Sequence, residues 1–126
     1  MIGFLIMAAA ATAPTLNCDN AMTQTDMTIC AGRAFTAADA ALNAQWTITA
    51  AHMKQMDAQG SPGDGRPGYF QALLDAQRAW LRYRDAQCLS AGYYARGGSM
   101  EPMLVAQCKA ELTHVRTQEL KDLVAR

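Results

Sequence analysis

The sequence predicts an all-α fold, a small bundle of three long antiparallel helices stapled by two disulfides. Three observations carry the prediction. Three segments repeat apolar residues at steps of three and four, two Gly-rich breaks separate them, and four cysteines lack metal-ligand spacing. The chain has 126 residues, 51% hydrophobic and 17% charged, which suits one domain around one core. Ala and Met supply much of the apolar share and aromatics only 7%, so the core is thin and cross-links reinforce a marginal stability.

Residues 1–13, MIGFLIMAAAATA, form an apolar run of signal-peptide length that ends in small residues. Pro14 blocks its continuation as a helix. This run reads as a secretory signal, leaving residues 14–126 as a single helical domain. Cys18 follows Leu16 and Asn17 rather than a small residue, which disfavours a lipid anchor. No run reaches the roughly 20 apolar residues of a membrane-spanning helix. Eleven Lys plus Arg balance eleven Asp plus Glu, so the cationic surplus of a nucleic-acid binder is missing.

The first helix begins near Thr23 or Thr25, where Thr23 and Asp26 resemble a capping box, and stops near Gly60. Its inner stripe is Met27, Ala31, Phe35, Ala38, Leu42, Trp46, Thr49, Met53 and Met56. The segment GSPGDGRPG, residues 60–68, holds four Gly and two Pro and reads as an exposed loop. The second helix runs from about Tyr69 to about Ala95, with Phe70, Leu73, Leu74, Gln77, Trp80, Leu81, Arg84 and Cys88 on one side. Gly97 and Gly98 break the chain and Ser99 serves as N-cap for a third helix reaching about Val124. Its expected stripe is Leu104, Cys108, Leu112, Val115, Glu119 and Leu123.

Export makes disulfides the expected state of the four cysteines. If helices two and three fold back at Gly98, Cys88 and Cys108 each lie ten residues from the turn and reach the same height. Cys18, just before the first helix, can meet Cys30 in that helix's second turn if the N-terminal arm doubles back. The pairing Cys18–Cys30 with Cys88–Cys108 is preferred. Its competitor is Cys30–Cys88, which the hairpin of helices one and two also brings close and which forces Cys18 onto Cys108. Zinc is disfavoured, because no Cys-x-x-Cys pair occurs and His52 and His114 have no ligand spacing.

Catalytic arrangements are missing from the pattern. Ser61, Ser90 and Ser99 lack a nucleophile elbow, the two histidines lack an evident acid partner, and no phosphate loop or dinucleotide fingerprint occurs. The expectation is a protein without enzymatic activity, cofactor or metal. The densest cluster is QRAWLRYRDAQC, with Gln77, Trp80, Tyr83, Arg84, Asp85 and Cys88. Trp80, Arg84 and Cys88 share a helix face, which favours Trp80 as core anchor and Arg84 as a partly buried cation paired with Asp39 or Glu111. The competing reading makes Tyr83, Arg82 and Asp85 an exposed recognition patch, extended by Tyr93 and Tyr94.

Cys18 and Cys30 bracket DNAMTQTDMTI; Asp39 and Leu42-Asn43 follow, then Gln77-x-x-Trp80-x-x-Tyr83-Arg84-Asp85-x-x-Cys88, then Cys108 and Thr113-x-x-Arg116-x-x-x-Leu120. In these residues the chain resembles the lysozyme inhibitor LprI-like N-terminal domain family, over most of the mature length. The resemblance implies a small, exported, disulfide-bonded helical domain and, for a characterised member, inhibition of lysozyme. The expected partner is therefore lysozyme, occluded without catalysis by a periplasmic or secreted protein. Asp39, Asp57 and Asp64 make the first helix and its loop the acidic half, with Asp64 the candidate contact to a basic lysozyme cleft. Arg78, Arg82, Arg84 and Arg96 concentrate positive charge on helix two. The alternative expectation is a periplasmic interaction or envelope-stress module that meets another protein through Tyr83, Arg84 and Tyr93.

Overall fold

A computed structural model describes residues 15–126. The signal segment expected over residues 1–13 lies outside the described residues. Among the described residues the regular structure is helical: a short 3-10 turn at Cys18–Asn20, α1 (Gln24–Ala58), α2 (Tyr69–Gly92) followed by a 3-10 turn at Tyr93–Ala95, and α3 (Glu101–Val124). None of these helices is long and apolar enough to cross a membrane.

The start of α1 follows the sequence reading, since Thr23 Oγ1 accepts the Asp26 N–H at 3.1 Å. The start of α3 does not. Met100, not Ser99, is its N-cap and supplies no side-chain bond. The Glu101 carboxylate instead turns back to accept the Gly97 N–H at 2.9 Å, in a turn that Gly97 enters with φ +81°. The second helix also ends earlier than expected, at Gly92. A Cβ there would lie 2.5 Å from Val105 Cγ2 of α3, so glycine lets the helices converge just before the turn.

Consecutive helices run antiparallel, which leaves α1 and α3 parallel, and α3 packs most extensively on α1. Two contacts at opposite ends fix that pair. The Gln24 amide meets Met103 Sδ at 3.5 Å, and the Thr49 hydroxyl donates to the Leu120 carbonyl at 3.0 Å. The α1 stripe faces inward as expected, with Ala31, Ala38, Leu42, Thr49 and Met53 buried and Met27, Phe35, Trp46 and Met56 half-buried.

The expected stripes of the other two helices need correction. Leu81 of α2 is exposed, as are Val115 and Glu119 of α3, while Leu104, Cys108, Leu112 and Leu123 are only half-buried. The buried line of α3 is Met103, Ala110, Thr113, Thr117 and Leu120. Ala110, Thr113 and Thr117 keep the middle of that line small where α3 packs on α1. Threonine tolerates this burial where its hydroxyl finds a carbonyl, and Thr117 donates to Thr113 O at 3.0 Å.

Apolar packing is unequal along the bundle. The core cluster joins Leu42, Met53, Leu73 and Leu120, with Trp46, Met56, Phe70, Trp80 and Leu123 against it, toward the α1–α2 loop. The other end carries both cross-links, Cys18–Cys30 and Cys88–Cys108, with Cα separations of 5.5 and 5.4 Å. Cys30 lies six residues beyond Gln24 and Cys108 five beyond Met103, so the two bonds sit at nearly one height. Covalent bonds thus hold the end where large apolar side chains are scarce.

Candidate partner-binding site

The loop over residues 60–68 is held at its base by one side chain. Asp57, in the last turn of α1, accepts the Tyr69 N–H on Oδ1 at 2.7 Å and the Phe70 N–H on Oδ2 at 3.1 Å. Gly68, the N-cap of α2, has no side chain to do this, and the carboxylate of the preceding helix takes its place at the positive end of α2. The exchange requires glycine at 68, because a Cβ there would lie 2.8 Å from Asp57 Oδ1. Within the loop, Gly60, Gly63 and Gly65 have φ of +114°, +69° and +77°, a region unfavourable to other residues.

Asp64 occupies the outer part of this loop. Its Oδ1 accepts the Arg66 N–H at 3.0 Å, and its Oδ2 accepts Arg66 Nε at 2.7 Å and lies 2.5 Å from Arg66 Nη2. The guanidinium and the backbone N–H of Arg66 hold the Asp64 carboxyl below its ordinary value of 3.8. Beside the pair lies a cleft of about 330 Å³, walled by Pro62, Pro67, Tyr69 and Ala72 with Asp57 at its base.

The acidic half expected from sequence is charge-compensated. Asp39 lies 3.7 Å from Arg84, Asp57 caps α2, and Asp64 is paired with Arg66. Lys54 adds a cation beside the loop base, 4.5 Å from the centroid of the Phe70 ring.

The α2 motif divides by direction. Gln77, Arg84 and Cys88 are buried and Trp80 is half-buried against the core, whereas Tyr83 is 55% exposed. The Arg84 guanidinium lies between two rings, 5.1 Å from Phe35 and 5.3 Å from Trp80, and its Nε donates to Asp85 at 3.0 Å. Its acid partners are Asp39 and Asp85, not Glu111. Asp85 also lies 3.9 Å from Lys109. Arg116 Nε donates to the buried Gln77 carbonyl at 2.9 Å, joining α3 to α2, and Arg116 Nη1 reaches Glu119 at 3.5 Å. Tyr93 and Tyr94 are exposed after α2, with Arg96 4.4 Å from the Tyr93 ring.

Of the two residues that define the loop, Asp57 is named from sequence only as part of the acidic half, and Arg66 is not named at all. The Asp57 latch carried no local signal, since its partners are twelve and thirteen residues away. The Asp64-x-Arg66 contact did leave a local signal that could have found it, because an Asp beside Gly favours a turn in which it bonds the N–H two residues on.

Fold and site together define a small disulfide-stapled three-helix domain with an exposed, latched loop between α1 and α2. The chain belongs to the family described as lysozyme inhibitor LprI, whose model matches residues 17–120. It is 49% identical over 117 residues to an uncharacterized protein of Rhizobium meliloti (strain 1021), covering 92% of this chain and 84% of that protein. No solved structure matches it.

Proposed function

We propose that the protein acts outside the cytoplasm, in the periplasm or secreted, and inhibits a lysozyme by docking the loop over residues 60–68 against its cleft, with Asp64 in contact. Family membership supports the partner class and two formed disulfides support the compartment. The observation that carries the loop assignment is the Asp57 latch. It fixes both ends of an exposed, glycine-shaped segment, so little ordering remains to be done on binding. Inhibition of this kind needs rigid presentation and no chemistry of the inhibitor's own.

In the alternative contact surface, Tyr83 with Arg84 and Tyr93, Arg84 is withdrawn from solvent. Arg84 is 8% exposed and its guanidinium is engaged by two rings and two carboxylates. The test is titration of purified oxidised protein into a lysozyme activity assay, comparing Asp64→Ala with Tyr83→Ala. Loss of potency with Asp64→Ala alone supports the loop. Loss with Tyr83→Ala alone moves the contact to α2.

A further inference from the structure

We propose that Arg66 is a built-in competitor for the Asp64 carboxylate, holding the place of a partner's guanidinium or ammonium group, so that a partner docks by displacing it. The inference rests on the loop-docking reading and specifies the chemistry the loop selects, a Lys or Arg side chain.

Both Asp64 oxygens are engaged by Arg66, Oδ1 by its N–H and Oδ2 by its side chain. The contact is local, formed across two positions, and the Arg66 side chain is 81% exposed. Asp64 is its only hydrogen-bond or ion-pair partner among the described residues, so the guanidinium can swing out without disturbing the bundle. Exposed ion pairs contribute little net stability, and an incoming cation therefore meets a weak competitor rather than a structural bond. The adjoining cleft offers apolar walls at Pro62, Pro67 and Tyr69 for an aliphatic stem, the way a long cationic side chain is normally accommodated.

The contact has two consequences. With Arg66 in place the loop's outer charge is cancelled, which lowers long-range attraction toward any basic surface. Docking is then conditional on a cation placed to outcompete Arg66, which turns a general attraction into a requirement of position.

Calorimetric titration with a basic animal-type lysozyme at low salt tests the proposal on wild type, Arg66→Gln, Asp64→Asn and the double variant. Arg66→Gln is expected to tighten binding roughly fivefold, the scale of one exposed ion pair. Asp64→Asn is expected to weaken it, and Arg66→Gln to have no effect in the Asp64→Asn background. Unchanged or weaker binding by Arg66→Gln overturns the proposal. If no form binds the lysozyme, the loop-docking reading fails, and the competitor is tested alone with N-acetyl-arginine methylamide followed by loop amide shifts. Arg66→Gln then responds at several-fold lower concentration than wild type, with N-acetyl-norleucine methylamide inert. Equal responses in the two proteins, or none in either, overturn the proposal.

Discussion

Two buried threonines with the same side chain differ in what their hydroxyls meet. Thr49, 0% exposed, donates to the Leu120 carbonyl and accepts the Gln45 amide at 3.1 Å, tying α1 to α3. Thr113 is equally buried and its Oγ1 has no hydrogen-bond partner. Thr49→Val should therefore cost about 1–2 kcal/mol, whereas Thr113→Val should be neutral or stabilise by up to about 1 kcal/mol. Urea denaturation of both variants reads the difference. Arg84 presents a related case, since its Nη1 is buried without a hydrogen bond while its stem and plane fill the space between Phe35 and Trp80. Removing both stem and charge in Arg84→Ala should cost about 3 kcal/mol, and Arg84→Met, which keeps the stem, about 1 kcal/mol. Equal losses in the two variants would assign the residue's contribution to its charge rather than its packing.

At the scale of elements, the α1–α2 connection depends on a carboxylate from one helix capping the next. Asp57→Ala should lower stability by about 1 kcal/mol, the usual value of a helix cap, and raise exchange of the Tyr69 and Phe70 amides first. Within the loop, the Asp64 pair has a defined pH window. The folded carboxyl lies below 3.8, so the pair's contribution is complete above that value and fades as pH falls through the lowered folded value. NMR titration of Asp64 should show its midpoint rising toward 3.8 in Arg66→Gln. The elements themselves were largely legible in the sequence, and unevenly so. The α1 face was readable because Leu42, Trp46 and Met53 mark it strongly, and the cysteine heights at Gly98 anticipated the Cys88–Cys108 bond. The α3 face was misread because apolarity pointed to Leu104, Leu112 and Val115, while close approach to α1 selected Ala110, Thr113 and Thr117 instead. Size at an interhelical contact outweighed hydropathy there. Asp64 was readable as a loop residue, but its charge balance depended on Arg66, and the latch depended on a fold that brings Asp57 to Tyr69.

For the whole molecule, the division into a cross-linked end and an apolar end sets what each disulfide does. Cys88 is fully buried and bonds two helices, whereas Cys18 is exposed and tethers only the N-terminal arm to α1. Chain entropy alone assigns roughly 3 kcal/mol to each loop. The paired Cys88→Ala, Cys108→Ala variant should exceed that through the void it leaves, and Cys18→Ala, Cys30→Ala should fall at or below it, as read by thermal melts. Loss of both would remove a large share of the 5–15 kcal/mol typical of a folded domain, so a reduced and alkylated chain should be largely unfolded. The loop lies at the apolar end, away from both bonds, so the proposed docking calls for the folded bundle rather than for either sulfur by itself. The proposed activity is inhibition of a lysozyme by the folded bundle through its latched loop. Its most direct test is a lysozyme activity assay at low and moderate salt, titrated with oxidised wild type, the Cys18→Ala, Cys30→Ala variant and the reduced, alkylated chain. Saturable inhibition is expected from the first two and none from the third, and absence of inhibition by oxidised wild type at high excess against every lysozyme type overturns the proposal.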